Sequence, residues 1–308
     1  MNIVSLLPSA TEIVYALGLE DQLVAVTHEC DFPHAARKKP QITKSSINQS
    51  DQSATIDRLV SQKLDDTGSL YEIDMELLER VKPDLILTQQ LCSVCAVSYD
   101  SVTEAVKRLS VPPMVLNLEP NSLEDILENV IAVGKLAGRH ERALELVQDL
   151  WKQIGTIEEH CGAAEYRPRV FCMEWMDPPF CGGHWIPELV ERAGGVDRLG
   201  RKGKPSVRVE WEQIFAYNPE AIVIMCCGFS LERTLREAND LWNVPGWQCL
   251  SAVQRRKVFA VDGSAYFSRP GPRIVRSAEI LAAILHPDLI SFEVPADSIA
   301  SIPSQQTM

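Results

Sequence analysis

Nine cysteines and six histidines are the side chains of this sequence best suited to soft chemistry. Cys92-Ser93-Val94-Cys95 sets two thiols at the spacing that lets one turn of chain offer both to a single ion. Thiolate and imidazole together select zinc, an iron–sulfur cluster or another soft metal. Cys30, Cys226 and Cys227 can complete such a set, with His28 or His184 as nitrogen donors. A redox use of the CxxC pair is the weaker reading. A helix N-terminus near Val102 would lower a thiol pKa, but nothing else here looks like a thioredoxin module. Cys161, Cys172 and Cys249 lack any such setting and read as structural, while Cys181 stays open.

A second group is aromatic. Trp175, Phe180, Trp185, Tyr266 and Phe267 fall in expected loops, where rigidly held rings suit flat, amphipathic ligands. Glu174, Asp177 and His184 stand among them and can serve binding or proton transfer. G-x-S-x-G, P-loop and G-x-G-x-x-G patterns are absent, so acyl transfer, phosphoryl transfer and dinucleotide binding have no support.

The elements that must carry these residues alternate. Apolar β runs at Ile3–Leu7, Leu23–Thr27, Leu85–Thr88 and Met114–Leu118 are separated by helical patterns such as Glu12–Leu17 and Val102–Leu109. Further on, runs at Val170–Met173, Ile222–Met225 and Val258–Val261 alternate with Ile186–Ala193, Leu231–Ala238 and Arg273–Leu285. The alternation predicts an α/β protein of two Rossmann-like open-sheet lobes, each a parallel sheet covered by helices. Asp74–Leu87 aligns without gaps on Glu210–Val223, Glu76 falling on Glu212, and each copy reads as helix, proline, buried strand. The helical register across 121–161 predicts a long connecting α-helix, with a break near Gly138. The expected organisation is a first lobe over 1–120, the connector over 121–161, a second lobe over 162–286 and a loosely ordered tail over 287–308. Ligands of open α/β sheets bind beyond the carboxyl ends of the strands. On that rule His28, Cys30, Cys92 and Cys95 from one lobe, and Glu174, Trp175, His184, Trp185, Cys226 and Cys227 from the other, are predicted to line a ligand cleft between the lobes.

Length and charge limit the function. The 308 residues suffice for two ordinary domains, and a net charge of −12 opposes nucleic acid and anionic lipid. No apolar run approaches the roughly 20 residues of a spanning helix, so no membrane insertion is expected. The start Met1-Asn2-Ile3-Val4-Ser5 lacks the basic and apolar segments of a secretory signal. It predicts a cytoplasmic protein, or a periplasmic one if an export signal was removed.

The opening Ile3-Val4-Ser5-Leu6-Leu7-Pro8-Ser9-Ala10-Thr11-Glu12, the paired Lys82–Leu87 and Asn218–Val223 segments, the connector and Arg269-Pro270-Gly271-Pro272-Arg273 together resemble the class III substrate-binding proteins. This is the group of iron-siderophore and vitamin B12 receptors with the helical-backbone metal-receptor fold, and the chain looks most similar to its cobalamin-binding branch. The resemblance covers about residues 1–286. It implies a non-enzymatic binding protein for cobalamin, another corrinoid or a related metal chelate. Trp175, Trp185 and Phe267 would pack on that ligand. Ser9, Thr11, Glu12, Glu174 and Arg269 would make polar contacts, and His28 or His184 would donate an axial nitrogen. It also implies that Glu76 and Glu212 dock on an ABC permease. The alternative is a cytosolic metalloprotein whose Cys30, Cys92, Cys95 and Cys226 or Cys227 hold zinc or an iron–sulfur cluster, with catalysis as a further role.

Overall fold

The computed structural model describes residues 1–45, 53–67, 70–90 and 99–303. It divides into two compact units, Met1–Pro120 with Glu124–Gln148 and Asn121–Leu123 with Asp149–Met308.

In the first unit the chain runs β1 (Ile3–Ser5), α1 (Pro8–Ala16), β2 (Leu23–Val26), β3 (Thr43–Ser45), α2 (Ser53–Thr67), β4 (Tyr71–Ile73), α3 (Met75–Val81), β5 (Leu85–Thr88), α4 (Tyr99–Lys107) and β6 (Met114–Asn117). Strands β2-β1-β5-β6 form one sheet, parallel throughout. All four residues of β5 are buried, as expected of a parallel strand with both faces covered. Val4, Ala25 and Ile86 of this sheet pack with Leu77 and Leu78 of α3 and with Val102 and Ala105 of α4. The antiparallel pair β3-β4 had no clear periodicity in the sequence. Ile42, just before β3, donates to Val26 O of β2, so the pair is tied to the main sheet.

The connector is two helices, α5 (Leu123–Leu136) and α6 (His140–Gly162). The break lies where expected: Gly138 adopts φ +69°, which side-chain-bearing residues rarely tolerate. Gly134 explains how closely the two helices approach, since a Cβ there would lie 2.4 Å from the Ala143 Cβ. The division between the units falls within α6, Gln148 belonging to one and Asp149 to the other.

The second unit continues β7 (Val170–Met176), β8 (Pro179–Cys181), β9 (Gly183–His184), α7 (Ile186–Arg192), β10 (Arg201–Lys202), α8 (Trp211–Tyr217), β11 (Ala221–Ile224), α9 (Leu231–Glu237), α10 (Ser251–Gln254), β12 (Val258–Val261), α11 (Ile274–Leu285) and β13 (Ile299–Ser301). Its sheet has the order β13-β12-β11-β7-β8, with β12, β11 and β7 parallel and both edge strands antiparallel. The tail therefore differs from expectation. Residues Ile299–Ser301 pair with Phe259–Val261, and Ile302 is buried in the core with Trp247 and Phe229. The short strand escapes a reading based on periodicity because three residues carry no period.

The aligned segments fold alike to the residue. Helix α3 and helix α8 begin and end at matched positions, as do β5 and β11. Asp74 caps α3 by accepting from Leu77 N, and Glu210 makes a reciprocal capping box with Gln213. Each helix ends on a left-handed residue ahead of proline, Lys82 at φ 46° and Asn218 at φ 47°. Asp84 then accepts from Asn2 N at 2.6 Å, and its counterpart Glu220 accepts from Arg169 N at 3.1 Å. Asn2 donates to the Lys82 carbonyl, as Arg169 does to that of Asn218. In each unit a carboxylate thus ties the residue before the first strand to the joint before a central one.

Burial raises the Glu220 carboxyl, but the Tyr166 hydroxyl, the Arg169 N–H and the charges of Arg169 and Arg255 outweigh it and hold the group below the ordinary 4.5. Such a depressed group stabilises the fold above its unfolded value and stops doing so as pH falls through the folded one. Glu220→Gln is therefore expected to lose about 1–2 kcal/mol at pH 7 in urea unfolding. The gap to wild type should narrow as pH falls below 4.5 and through the lowered folded value; a gap that does not change on acidification would refute the assignment.

Candidate functional site

In the first unit, the carboxyl end of β2 delivers Thr27 and His28. The His28 amide donates to Thr43 Oγ1 at 3.2 Å, and His28 Nδ1 lies 2.8 Å from the same oxygen. Thr43 Oγ1 is in turn 2.7 Å from Thr27 Oγ1. In the tautomer that protonates Nδ1, Thr43 accepts from both His28 N–H groups and gives its own proton to Thr27. The other nitrogen, Nε2, is buried without a hydrogen-bond partner; the Glu29 carboxylate stands 3.2 Å away, outside hydrogen-bonding geometry. Tyr71 packs on the imidazole with ring centroids 5.8 Å apart.

Residues at the carboxyl end of β1 are spent differently. Ser9 and Glu12 are buried at 3% exposure in the first turns of α1, and Thr11 is fully buried. The Thr11 hydroxyl donates to Ser5 Oγ at 2.9 Å and lies 3.0 Å from Cys30 Sγ.

In the second unit, the last residues of β7 include Glu174 and Trp175. One Glu174 oxygen accepts from Gly183 N at 2.9 Å, pinning the β8-β9 excursion to β7. Burial pushes this carboxyl above the usual range, against the pull of Gly183 and Ser206. Trp175 packs on Phe229 at 5.1 Å, and its indole N–H is covered and without a hydrogen-bond partner. His184 takes a left-handed φ of 49° and lies over Trp185 at 5.6 Å. Its Nε2 is likewise unpartnered, and burial lowers its pKa. Trp185 is tied by its Nε1 to the Phe267 carbonyl at 3.2 Å. That carbonyl closes a π-helical turn, Gly263–Phe267, which follows β12. Arg269, just beyond, is 6% exposed and donates to Ser264 Oγ at 3.4 Å.

The geometry finds its counterpart among known proteins. The family model described as "Periplasmic binding protein" matches residues 3–265. The chain belongs to the periplasmic binding protein family. An uncharacterized ABC transporter substrate-binding lipoprotein of Bacillus subtilis, YvrC, is 25% identical over 296 residues, covering 93% of this chain and 80% of that protein. The vitamin B12-binding protein of Vibrio cholerae is 25% identical over 288 residues, 92% of this chain and 88% of its own. A periplasmic heme-binding protein of Pseudomonas aeruginosa shares the fold at a TM-score of 0.73 and 17% identity, over 98% of both chains. This periplasmic binding protein is thus a substrate-binding protein of the ABC-transporter type, and its relatives are solute binders, not enzymes.

The structure of this family member sorts the expected residues. Glu174, Trp175, His184, Trp185, Phe267 and Arg269 belong to one connected set at the carboxyl edge of the second sheet. His28 stands at the corresponding edge of the first, whereas Thr11 is consumed in packing the β1–α1 turn. Of the cysteine set, only Cys30, Cys226 and Cys227 fall among the described residues. Cys92 and Cys95 lie outside the described residues. Among the described residues, no three His, Cys, Asp or Glu side chains are placed to hold a metal ion. Cys30 and Cys226 are buried, and burial drives the Cys226 thiol well above its ordinary value, which disfavours the thiolate a metal needs. Cys227 is half-buried, Cys181 joins the core, Cys161 and Cys172 are buried and Cys249 is exposed. Glu76 and Glu212 are exposed at matched positions in the first turns of α3 and α8.

Three positions escaped the sequence reading. Thr43 orients His28 from a strand without a signal. Phe229 backs Trp175. Asp197 caps its own turn, accepting from Leu199 N at 3.0 Å and Gly200 N at 2.8 Å, a local pattern the Asp-x-x-Gly spacing could have disclosed. Burial raises the Asp197 carboxyl to about 7, the Gly200 and Leu199 N–H groups resisting, and its second oxygen has no hydrogen-bond partner. A group so raised stabilises the fold below its unfolded value of 3.8, and that contribution is lost as pH rises through about 7. Asp197→Asn should therefore melt above wild type at pH 8 and close to it at pH 4. A lower melting temperature at both values would contradict a buried, uncompensated charge.

Proposed function

We propose that this periplasmic binding protein captures a planar metal chelate, cobalamin or another corrinoid in the first place, and presents it to an ABC permease. The observation that carries the reading is His28, whose Nδ1 is anchored on Thr43 while Nε2 is left without a hydrogen bond. An imidazole fixed through one nitrogen offers the lone pair of the other as an axial ligand, and its outer partner sets both tautomer and direction. Glu29 is the group that a bound cobalt or iron would displace. Trp175, half-buried, supplies flat apolar surface, Trp185 and Phe267 stiffen the same edge from within, and Ser9, Glu12, Glu174 and Arg269 are the polar side chains proposed to contact the ligand. The names of the Vibrio cholerae and Pseudomonas aeruginosa proteins support a corrinoid or haem as the class of ligand. The Bacillus subtilis lipoprotein supports a position outside the cytoplasmic membrane, in place of the cytoplasmic one expected from the first residues.

Titration with aquocobalamin, and separately with hemin, followed by visible absorption and calorimetry, tests this. Binding with a dissociation constant of about 1 μM or tighter is expected, with the band shift of nitrogen coordination. His28→Ala should abolish that shift and weaken binding about tenfold or more. No binding of either chelate at millimolar concentration would overturn the reading.

The permease contact is assigned to Glu76 and Glu212, exposed carboxylates at equivalent places in the two units. Reversing both to lysine should stop ligand delivery in a reconstituted transporter and leave ligand affinity within twofold. Undiminished delivery would exclude them.

A further inference from the structure

Helix α9 carries a charged pair that has been withdrawn from water. Arg233 Nε lies 2.9 Å from Glu237 Oε1, and the two side chains expose 11% each. The guanidinium carbon sits 3.6 Å from the centroid of the Phe229 ring, well inside cation–π range. Phe229 is itself 1% exposed and meets Trp175 at 5.1 Å with the ring planes inclined by 59°. The backbone of Phe229 is held on two sides, its N–H donating to Cys226 O at 3.1 Å and its carbonyl accepting from Ser264 N at 3.0 Å. Carboxylate, guanidinium, phenyl and indole thus form one file, ending on the partly exposed tryptophan at the carboxyl end of β7.

Packing alone does not call for this file. A buried ion pair is often no more stabilising than apolar side chains of equal volume, so leucine or methionine would fill the space beside Phe229 as well. What apolar side chains cannot do is fix the plane of the phenyl ring, because their contacts are non-directional, whereas a guanidinium is drawn to the ring face. We propose that Arg233 and Phe229 are positioning residues for Trp175, holding the indole at one angle so that it forms a rigid shelf for a flat, conjugated macrocycle. This rests on the reading above that Trp175 touches such a ligand. Preorganisation of this kind raises affinity by removing the cost of ordering the ring on binding.

The test removes both charges of the pair together: Arg233→Met with Glu237→Leu, beside Arg233→Lys alone. The full chain is labelled with 5-fluorotryptophan, and among its six tryptophans the Trp175 fluorine resonance is assigned by its loss in Trp175→Phe. The double variant is expected to fold, to shift or split the Trp175 resonance while the other five hold, and to bind cyanocobalamin and hemin about five- to tenfold more weakly. Arg233→Lys should restore most of both. A folded double variant with an unmoved Trp175 resonance, or with affinity within twofold of wild type, overturns the proposal. Should wild type bind neither macrocycle, the ligand reading fails by itself, and the fluorine spectrum still decides whether the file positions Trp175.

Discussion

The arrangement depends on one repeated constraint, the carboxylate at the joint between a helix and a central strand. Asp84 in one unit and Glu220 in the other accept the amide of the residue that precedes the first strand. The bond ties the β1–β5 and β7–β11 pairs at their amino ends, and parallel ladders then propagate that alignment along the strands. The parallel strands of each sheet point the same way, so the residues that follow them are delivered to one edge, with β7 running on past β11 to Met176. His28 arrives after β2, Trp175 at the end of β7 and the Gly263–Phe267 turn after β12. The chemistry at one end of each sheet is positioned by electrostatics at the other.

That edge is where the structure leaves most of its unmet buried polar atoms among the described residues. His28 Nε2, Thr88 Oγ1 and Asn117 Oδ1 of the first unit, and Trp175 Nε1 and His184 Nε2 of the second, are buried there without hydrogen-bond partners, while Asp197 Oδ2 and Trp242 Nε1 are unmet elsewhere in the second unit. Thr88 and Asn117 are register partners closing β5 and β6. An unmet buried polar group costs about 1–3 kcal/mol, so a sequence selected for stability alone would remove it. The same joints are, by contrast, fully satisfied at the amino ends. The asymmetry is that of a binding protein, which concedes stability where a ligand is received and recovers it in the scaffold.

How much of this was legible depended on whether the determinant was local. The helix, left-handed residue, proline and strand of each repeat are set by neighbours in sequence, so Asp74–Leu87 and Glu210–Val223 disclosed them to the residue. Gly138 announced the break in the connector for the same reason. Strands β3, β8, β9, β10 and β13 span two or three residues each, too few for a period, and are defined by distant partners. The cysteines show the limit most plainly. Strand-end placement brought Cys30, Cys226 and Cys227 into consideration, but burial decides what a thiol can do, and Cys226 is enclosed by core side chains. The Thr43–His28 and Arg233–Phe229–Trp175 contacts join segments whose sequences contain no trace of one another.

His28 and His184 illustrate why position alone does not make a ligand. Both stand near strand ends, and both keep Nε2 unpaired. His184, however, occupies a left-handed backbone conformation, lies flat on Trp185 and carries no hydrogen bond at Nδ1 among the described contacts. Its burial favours the neutral ring without fixing which nitrogen holds the proton. His28 has its ring direction fixed, since Thr43 Oγ1 meets both its backbone N–H and its Nδ1. The first imidazole is thus held in direction through one nitrogen, and the second is held by its stacking on Trp185. Two histidines that look equivalent in the sequence are separated by one threonine, fifteen residues beyond the first.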